Sequence, residues 1–230
     1  MRTRFQQGLD ELREKLLRMG GLAEQAVDRA CEAYRDRDLA RCHQVLEGES
    51  VINAAERDID EVAFDLLAMQ QPMATDLRFI LAVVKINSDL ERVGDQAVNI
   101  VERVMDMVDL PAVELPVDIW RMASATSAMV RRALESFIEG KDELAQAVLE
   151  MDNVVDRMRD EAFITLVHKM NESPDVTQQA LDALLIARNL ERVADHATNI
   201  AEDVIFWVRG RDVRHNVGVA RQTTPVVPET

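Results

Sequence analysis

The sequence predicts an all-α protein made of two tandem, pseudo-symmetric, antiparallel three-helix bundles, six long helices in all. Three observations predict it. The composition suits long aliphatic helices: of 230 residues, 47% are apolar but only 4% aromatic, with few Gly and Pro. Six stretches with apolar residues at three-and-four spacing are separated by short breaks, the middle break holding two prolines. An eleven-residue segment near the end of the first half recurs near the end of the second.

The first period runs from about Phe5 to Tyr34 and the second from about Leu39 to Met69, with Asp38 placed to cap the second helix. Gln70, Gln71 and Pro72 break the pattern, and a third run extends from about Thr75 to Val108. Asp109 to Pro116 has no helical period and carries Pro111 and Pro116, so it reads as a connector. Beyond it come runs from about Val117 to Glu139, Asp142 to Met170 and Asp175 to Val208. Ser173 is the expected N-cap of the last helix and Pro174 its first helical position. The implied domains are residues 1–110 and 117–215, followed by a disordered tail at 216–230.

Leu90-Glu91-Arg92-Val93-Gly94-Asp95-Gln96-Ala97-Val98-Asn99-Ile100 matches Leu190-Glu191-Arg192-Val193-Ala194-Asp195-His196-Ala197-Thr198-Asn199-Ile200 at an offset of 100, with eight of eleven positions identical. Glu102 and Glu202 continue the match. Val45-Leu46-Glu47 aligns with Val148-Leu149-Glu150 at an offset of 103. Helices of about 30 residues are about 45 Å long and need lengthwise partners to cover their apolar stripes. Two up-down-up bundles, end to end or side by side, supply them. In the third helix Phe79, Val83, Ile86, Leu90, Val93, Ala97, Val101, Val104 and Val108 form the expected core stripe.

A net charge of −15 opposes the phosphate backbone on which nucleic-acid affinity rests, so nucleic acid is not an expected partner. The same field favours cations and basic protein surfaces. Cys31 and Cys42 form no disulfide framework or zinc spacing and read as small core residues. The polar first ten residues lack an apolar signal core, and nowhere do 18 apolar residues run together. A cytoplasmic protein without membrane insertion is expected.

The chemistry of interest lies on a second stripe of the third helix, where Ser88, Glu91, Asp95, Asn99 and Glu102 follow one another. The sixth helix repeats it with Arg188, Glu191, Asp195, Asn199 and Glu202. Like charges four apart repel, so one such pair is ordinarily a solvated face; recurrence in both halves and apolar residues in line at either end argue for more. The second helix offers Glu49, Asn53, Glu56 and Asp60 on one face, and the fifth offers Asp152 and Asp156. At offset 103 Asp152 aligns with Glu49 and Asp156 with Asn53. Facing helices would gather about four to six oxygen ligands per half, a set for iron, zinc, manganese or magnesium without strong selection among them. None of His43, His168, His196 and His215 has a Glu three residues before it, which disfavours a ferritin-like di-iron centre. The histidines read as surface or interhelical hydrogen-bonding residues, with His196, beside Asp195, in reach of a metal. No phosphate loop, nucleophile elbow, dinucleotide fingerprint or zinc-ligand cysteine array occurs, so no catalytic or organic-cofactor residues are assigned. Gly20 and Gly21, inside a helical stretch, mark a helix irregularity or a close helix contact.

Leu90-Glu91-Arg92-Val93-Gly94-Asp95 and its second copy resemble the paired acidic motifs of the PhoU family. Arg18-Met19-Gly20-Gly21, Gln71-Pro72-Met73-Ala74-Thr75-Asp76-Leu77-Arg78 and the segment Phe206 to His215 are similar to further family segments in the same order. The resemblance spans roughly residues 5 to 216. It implies a non-enzymatic cytoplasmic regulator, dimeric as a rule, that restrains high-affinity phosphate uptake and silences the phosphate-starvation response. It implies the importer's ATPase subunit and the sensor histidine kinase as partners. It further implies a multinuclear metal on Glu91, Asp95, Glu191, Asp195, Asp152 and Asp156. The first-half site departs from the family pattern at Asn53, so its ligands are either Glu49 and Asn53 or Glu56 and Asp60. The same acidic faces would also serve a carboxylate-bridged metalloenzyme or metal store.

Overall fold

The structure, a computed structural model, describes residues 4–69, 71–211 and 213. Six α-helices follow in order: α1 (Arg4–Asp36), α2 (Leu39–Met69), α3 (Ala74–Met107), α4 (Ile119–Glu139), α5 (Asp142–Glu172) and α6 (Thr177–Arg209). There is no strand among the described residues. The expected tail lies outside them. All six helices start and stop within two or three residues of the sequence-based limits.

α3 packs against α1, α2 and α6, while α6 packs against α3, α4 and α5, and α1 also meets α4. The two halves therefore lie side by side. α1, α3, α4 and α6 close a central bundle, with α2 and α5 packed on its outside. One apolar core runs through both halves, from Leu12 and Leu16 in α1 to Val204 and Ile205 in α6. α3 consequently buries more than the stripe expected of it: Ile80, Ala82 and Ile100 are as inaccessible as Val83 and Val93. Cys31 and Cys42 are core residues, and burial raises the Cys31 thiol to about 12.

The duplication is visible in which positions are buried. In α2 and α5 they pair at offset 103: Cys42 with Ala145, Val45 with Val148, Ile52 with Val155, Ile59 with Ala162, Ala63 with Leu166. α1 and α4 follow the same offset, as with Met19 and Met122 or Val27 and Val130. α3 and α6 pair at offset 100, as Phe79 with Gln179, Ile86 with Ile186 and Leu90 with Leu190 show. The loss of three residues falls between α5 and α6. There Ser173 makes no side-chain cap, contrary to expectation, because Pro174 opens a single 3₁₀ turn, Pro174–Val176, before α6 begins. Thr177 Oγ1 closes the turn by donating to Pro174 O at 2.8 Å. Asp38 does cap α2, accepting from Ala40 N at 2.9 Å. Gly20 is a close helix contact, since a Cβ there would stand 2.7 Å from Leu134, and Gly21 faces open space.

At one end of the bundle Phe79, Phe137 and Trp207 meet with ring centroids 5.2 to 5.8 Å apart. The Arg13 guanidinium lies 5.3 Å from the Phe79 ring centre, so all four central helices join there.

At the other end Arg37, between α1 and α2, has a positive φ of 53°. Its Nη2 donates to the carbonyls of Met107, Val108 and Leu110, where α3 runs out of intrahelical partners. The equivalent residue at offset 103 is Gly140, φ 60°, which takes the left-handed conformation without a side-chain penalty. A left-handed non-glycine residue costs about 1–2 kcal/mol, whereas a charged hydrogen bond contributes about 1.5–3 kcal/mol, so the clamp outweighs its strain. We expect Arg37→Ala to lower the unfolding free energy in urea by about 1.5–3 kcal/mol. Arg37→Gly, which loses the same bonds but relieves the backbone, should lose less. Unchanged stability in the alanine variant would show that the clamp contributes nothing.

Candidate functional site: two acidic faces and the seam between them

Each face forms where an outer helix packs along a central one. On the first, Glu49, Asn53 and Glu56 of α2 meet Glu91 and Asp95 of α3, all of them half-buried. Ile52 and Gly94 let the helices approach closely: a Cβ on Gly94 would lie 3.0 Å from Ile52 Cδ1. At the matching places the second half has Val155 and Ala194, a methyl removed on one helix and one added on the other.

Partial burial raises the carboxyl of Glu91, and the charges of Asp95 and Glu56 raise it further. Asp95 is raised by burial and by Glu49, and Glu56 by burial, Asp60 and Asp95. The first face thus brings Glu49, Glu56, Glu91 and Asp95 into one electrostatic field. Asp60 joins that field through Glu56 and is itself held by a neighbour. Asn87 Nδ2 holds the Asp60 carboxylate at 3.0 Å and donates at the same distance to Glu56 O. Asn53 Oδ1 is buried without a hydrogen-bond partner, an orphaned acceptor of the kind a cation would satisfy.

The second face gathers Asp152 and Asp156 of α5 with Glu191 and Asp195 of α6. Burial, reinforced by Asp156, Asp195 and Glu191, raises Asp152 to about 6. Glu191 is raised by desolvation and by Asp195, and Asp195, at the exposed rim, by desolvation and by Asp156. This face carries its own cation: Arg159 Nη2 lies 3.4 Å from Asp156 and 3.9 Å from Glu191. At offset 103 Arg159 occupies the place of Glu56, so the halves differ there in sign. Among the described residues no group of three or more His, Cys, Asp or Glu side chains is already converged as a metal-ligand set. The carboxylates share a field without sharing a centre.

Sequence reasoning missed three residues of this region: Arg159, Asn87 and Asp89. Asp89 is nine-tenths buried in the seam between α3 and α6 and accepts from Asn199 Nδ2 at 3.1 Å. It also binds His196 Nδ1 at 2.9 Å. His196 is accordingly an interhelical hydrogen-bonding residue, as one of its two sequence readings had it. His43 and His168 are exposed, and His215 lies outside the described residues.

Fold and faces together define a class: a duplicated helical bundle with carboxylates at equivalent places in both halves. The PhoU domain family matches the chain twice, over residues 16–104 and 119–204. A phosphate-specific transport system accessory protein PhoU homolog of Pseudomonas aeruginosa is 40% identical over 225 residues, covering 96% of this chain and 92% of that one. One from Clostridium acetobutylicum is 32% identical over 213 residues, covering 92% and 97%. The crystal structure of PhoU from Pseudomonas aeruginosa superposes with a TM-score of 0.87 at 38% identity, covering 90% of this chain and 100% of that one. The phosphate transport system regulatory protein PhoU from Streptococcus pneumoniae shares the fold, with a TM-score of 0.82 at 24% identity over 91% of this chain and 99% of that one. The chain belongs to the PhoU family.

The raised carboxyls fix the sign of a pH dependence. The folded protein holds the Asp152 proton more tightly than the unfolded chain, whose carboxyl titrates near 3.8. This group's penalty is present above about 6 and is relieved as pH falls toward 3.8. Chelator-treated protein should therefore gain stability from about pH 7.5 to about pH 5, and Asp152→Asn should show a smaller gain, read from urea midpoints. Parallel pH slopes for parent and variant would refute the raised carboxyl.

Proposed function

We propose that this protein is a non-enzymatic, cytoplasmic negative regulator of high-affinity phosphate uptake and of the phosphate-starvation response. In this reading it is a metal-binding adaptor, working as a homodimer, between the ATPase subunit of a phosphate importer and a sensor histidine kinase. Family membership carries the reading. A role in phosphate transport follows from relatives named phosphate-specific transport system accessory proteins that cover nearly the whole chain. No helix among the described residues is long and apolar enough to cross a membrane, which agrees with a protein that meets the importer at its surface. Exposed apolar side chains on the outer helices, Phe64 on α2 and Phe163 and Ile164 on α5, suit protein contacts.

For the metal, the proposed ligands are Glu49, Asn53, Glu56, Glu91 and Asp95 in the first half and Asp152, Asp156, Glu191 and Asp195 in the second. Partly desolvated like charges and the orphaned Asn53 oxygen support them. A bound iron, zinc, manganese or magnesium would supply the missing positive charge.

Two outcomes test this. Deleting the gene should raise phosphate uptake and switch on starvation genes in phosphate-rich medium; normal uptake with silent genes would sink the regulatory reading. The melting temperature of chelator-stripped protein should rise on adding a divalent or ferric cation, because the cation binds only the folded form. Glu191→Gln with Asp195→Asn should remove much of that rise and slightly raise metal-free stability. A parent melt indifferent to all four metals would return these residues to an ordinary solvated surface.

A further inference from the structure

The seam between the halves holds a feature that neither the acidic faces nor the family assignment uses. α3 and α6 run antiparallel, as their cross-links show: Lys85 Nζ donates to Asp203 at 3.0 Å and Asn199 to Asp89 at 3.1 Å, the number rising on one helix as it falls on the other. Continuing this register brings Arg92 across from the turn that begins at Arg192. These are equivalent residues of the repeat, so each half sends one arginine toward the pseudo-twofold axis. Both line a single open cleft of about 520 Å³ with Gln96, Asp195, His196 and Asn199.

Among the described residues neither arginine forms an ion pair or a side-chain hydrogen bond. Two guanidiniums on one cleft repel each other; Glu56, Glu91 and Asp95 feel the charge of Arg92, and Asp195 that of Arg192, but none of these carboxylates closes on them as an ion pair among the described residues. The polar floor is fixed. His196 and Asn199 are tied to buried Asp89, and Gln96, only 8% exposed, has a carboxamide oxygen without a partner. A carboxamide can donate to an anion through Nε2 or accept from a protonated anion oxygen. Guanidinium is a planar fork suited to bidentate capture of tetrahedral oxyanions. Negative charge opposes an anion there: Asp195 at the rim, Asp89 behind the floor, and Glu91 and Asp95, which feel the charge of Arg92.

We propose that this cleft binds a small tetrahedral oxyanion of the phosphate class, gripped by one arginine from each half. The regulatory reading supplies only its biological setting. An anion held there would tie α3 to α6 at their crossing and so couple the two halves.

The test is isothermal titration of full-length protein, freed of metal by chelator so that no cation captures the anion, with inorganic phosphate, sulfate and pyrophosphate at ionic strength held constant with chloride. Saturable binding of one anion per chain is expected, weakened about tenfold by Arg92→Gln or by Arg192→Gln and about a hundredfold by both. Arg92→Lys with Arg192→Lys keeps the charge without the fork and should fall between. Circular dichroism and melting of each variant guard against loss of fold. Tighter binding of inorganic phosphate than of pyrophosphate supports the site and assigns the free ion; the reverse supports it and assigns a phosphorylated metabolite. No saturation at millimolar concentrations of any of the three, or a folded double glutamine variant that binds like the parent, overturns the proposal. Either failure leaves the deletion phenotype to be judged separately.

Discussion

Everything in this molecule is arranged about the antiparallel crossing of α3 and α6. It is the most extensive helix contact in the protein, and it is held by polar bonds inside an apolar setting. Buried Asp89 reaches His196 and Asn199, and Lys85 reaches Asp203, itself only 4% exposed. A charge with so little water around it destabilises the fold unless partners satisfy it. These bonds therefore select one register for two helices whose apolar surfaces alone would tolerate sliding. Once that register is set, α1 and α4 close the central bundle, and the outer helices find their grooves.

The duplication makes the departures from symmetry informative. Where geometry alone matters, the halves compensate: Ile52 with Gly94 in one, Val155 with Ala194 in the other. The left-handed turn after the first helix of each half follows a different rule. Gly140 merely adopts it, whereas Arg37 adopts it and puts its side chain to use on α3, beside the connector that only the first half has.

Most of the architecture was legible in the sequence because long amphipathic helices declare themselves through their own periodicity. Helix limits and the Asp38 cap depend on neighbours a few residues away. The acidic motifs stood out because they recur. What escaped was set by partners remote in the chain. Asp89 meets a helix more than a hundred residues later, so nothing near it announces a buried carboxylate. The single stripe expected for α3 described one bundle, and α6, from the other half, covers a further side. Ser173 failed as a cap for a local reason, because the proline after it favoured a 3₁₀ turn over an immediate α-helix.

The two acidic faces occupy equivalent places but are not equivalent in charge. In the first, Glu56 adds a fourth carboxylate to Glu49, Glu91 and Asp95, and Asn53 contributes a neutral oxygen. In the second, Asp156 replaces that neutral oxygen, and Arg159 replaces the glutamate and already leans on Asp156 and Glu191. A cation arriving at the second face must compete with a guanidinium that is covalently part of it, whereas among the described residues no arginine forms an ion pair with the carboxylates of the first face. The same substitution cuts the other way without a bound cation. Arg159 relieves repulsion at close range, whereas on the first face the charges of Arg57 and Arg92 offset it without a close ion pair among the described residues. Gene duplication thus produced two surfaces with one backbone geometry, and two changes on the outer helices, Asn53 against Asp156 and Glu56 against Arg159, are enough to give them different electrostatics.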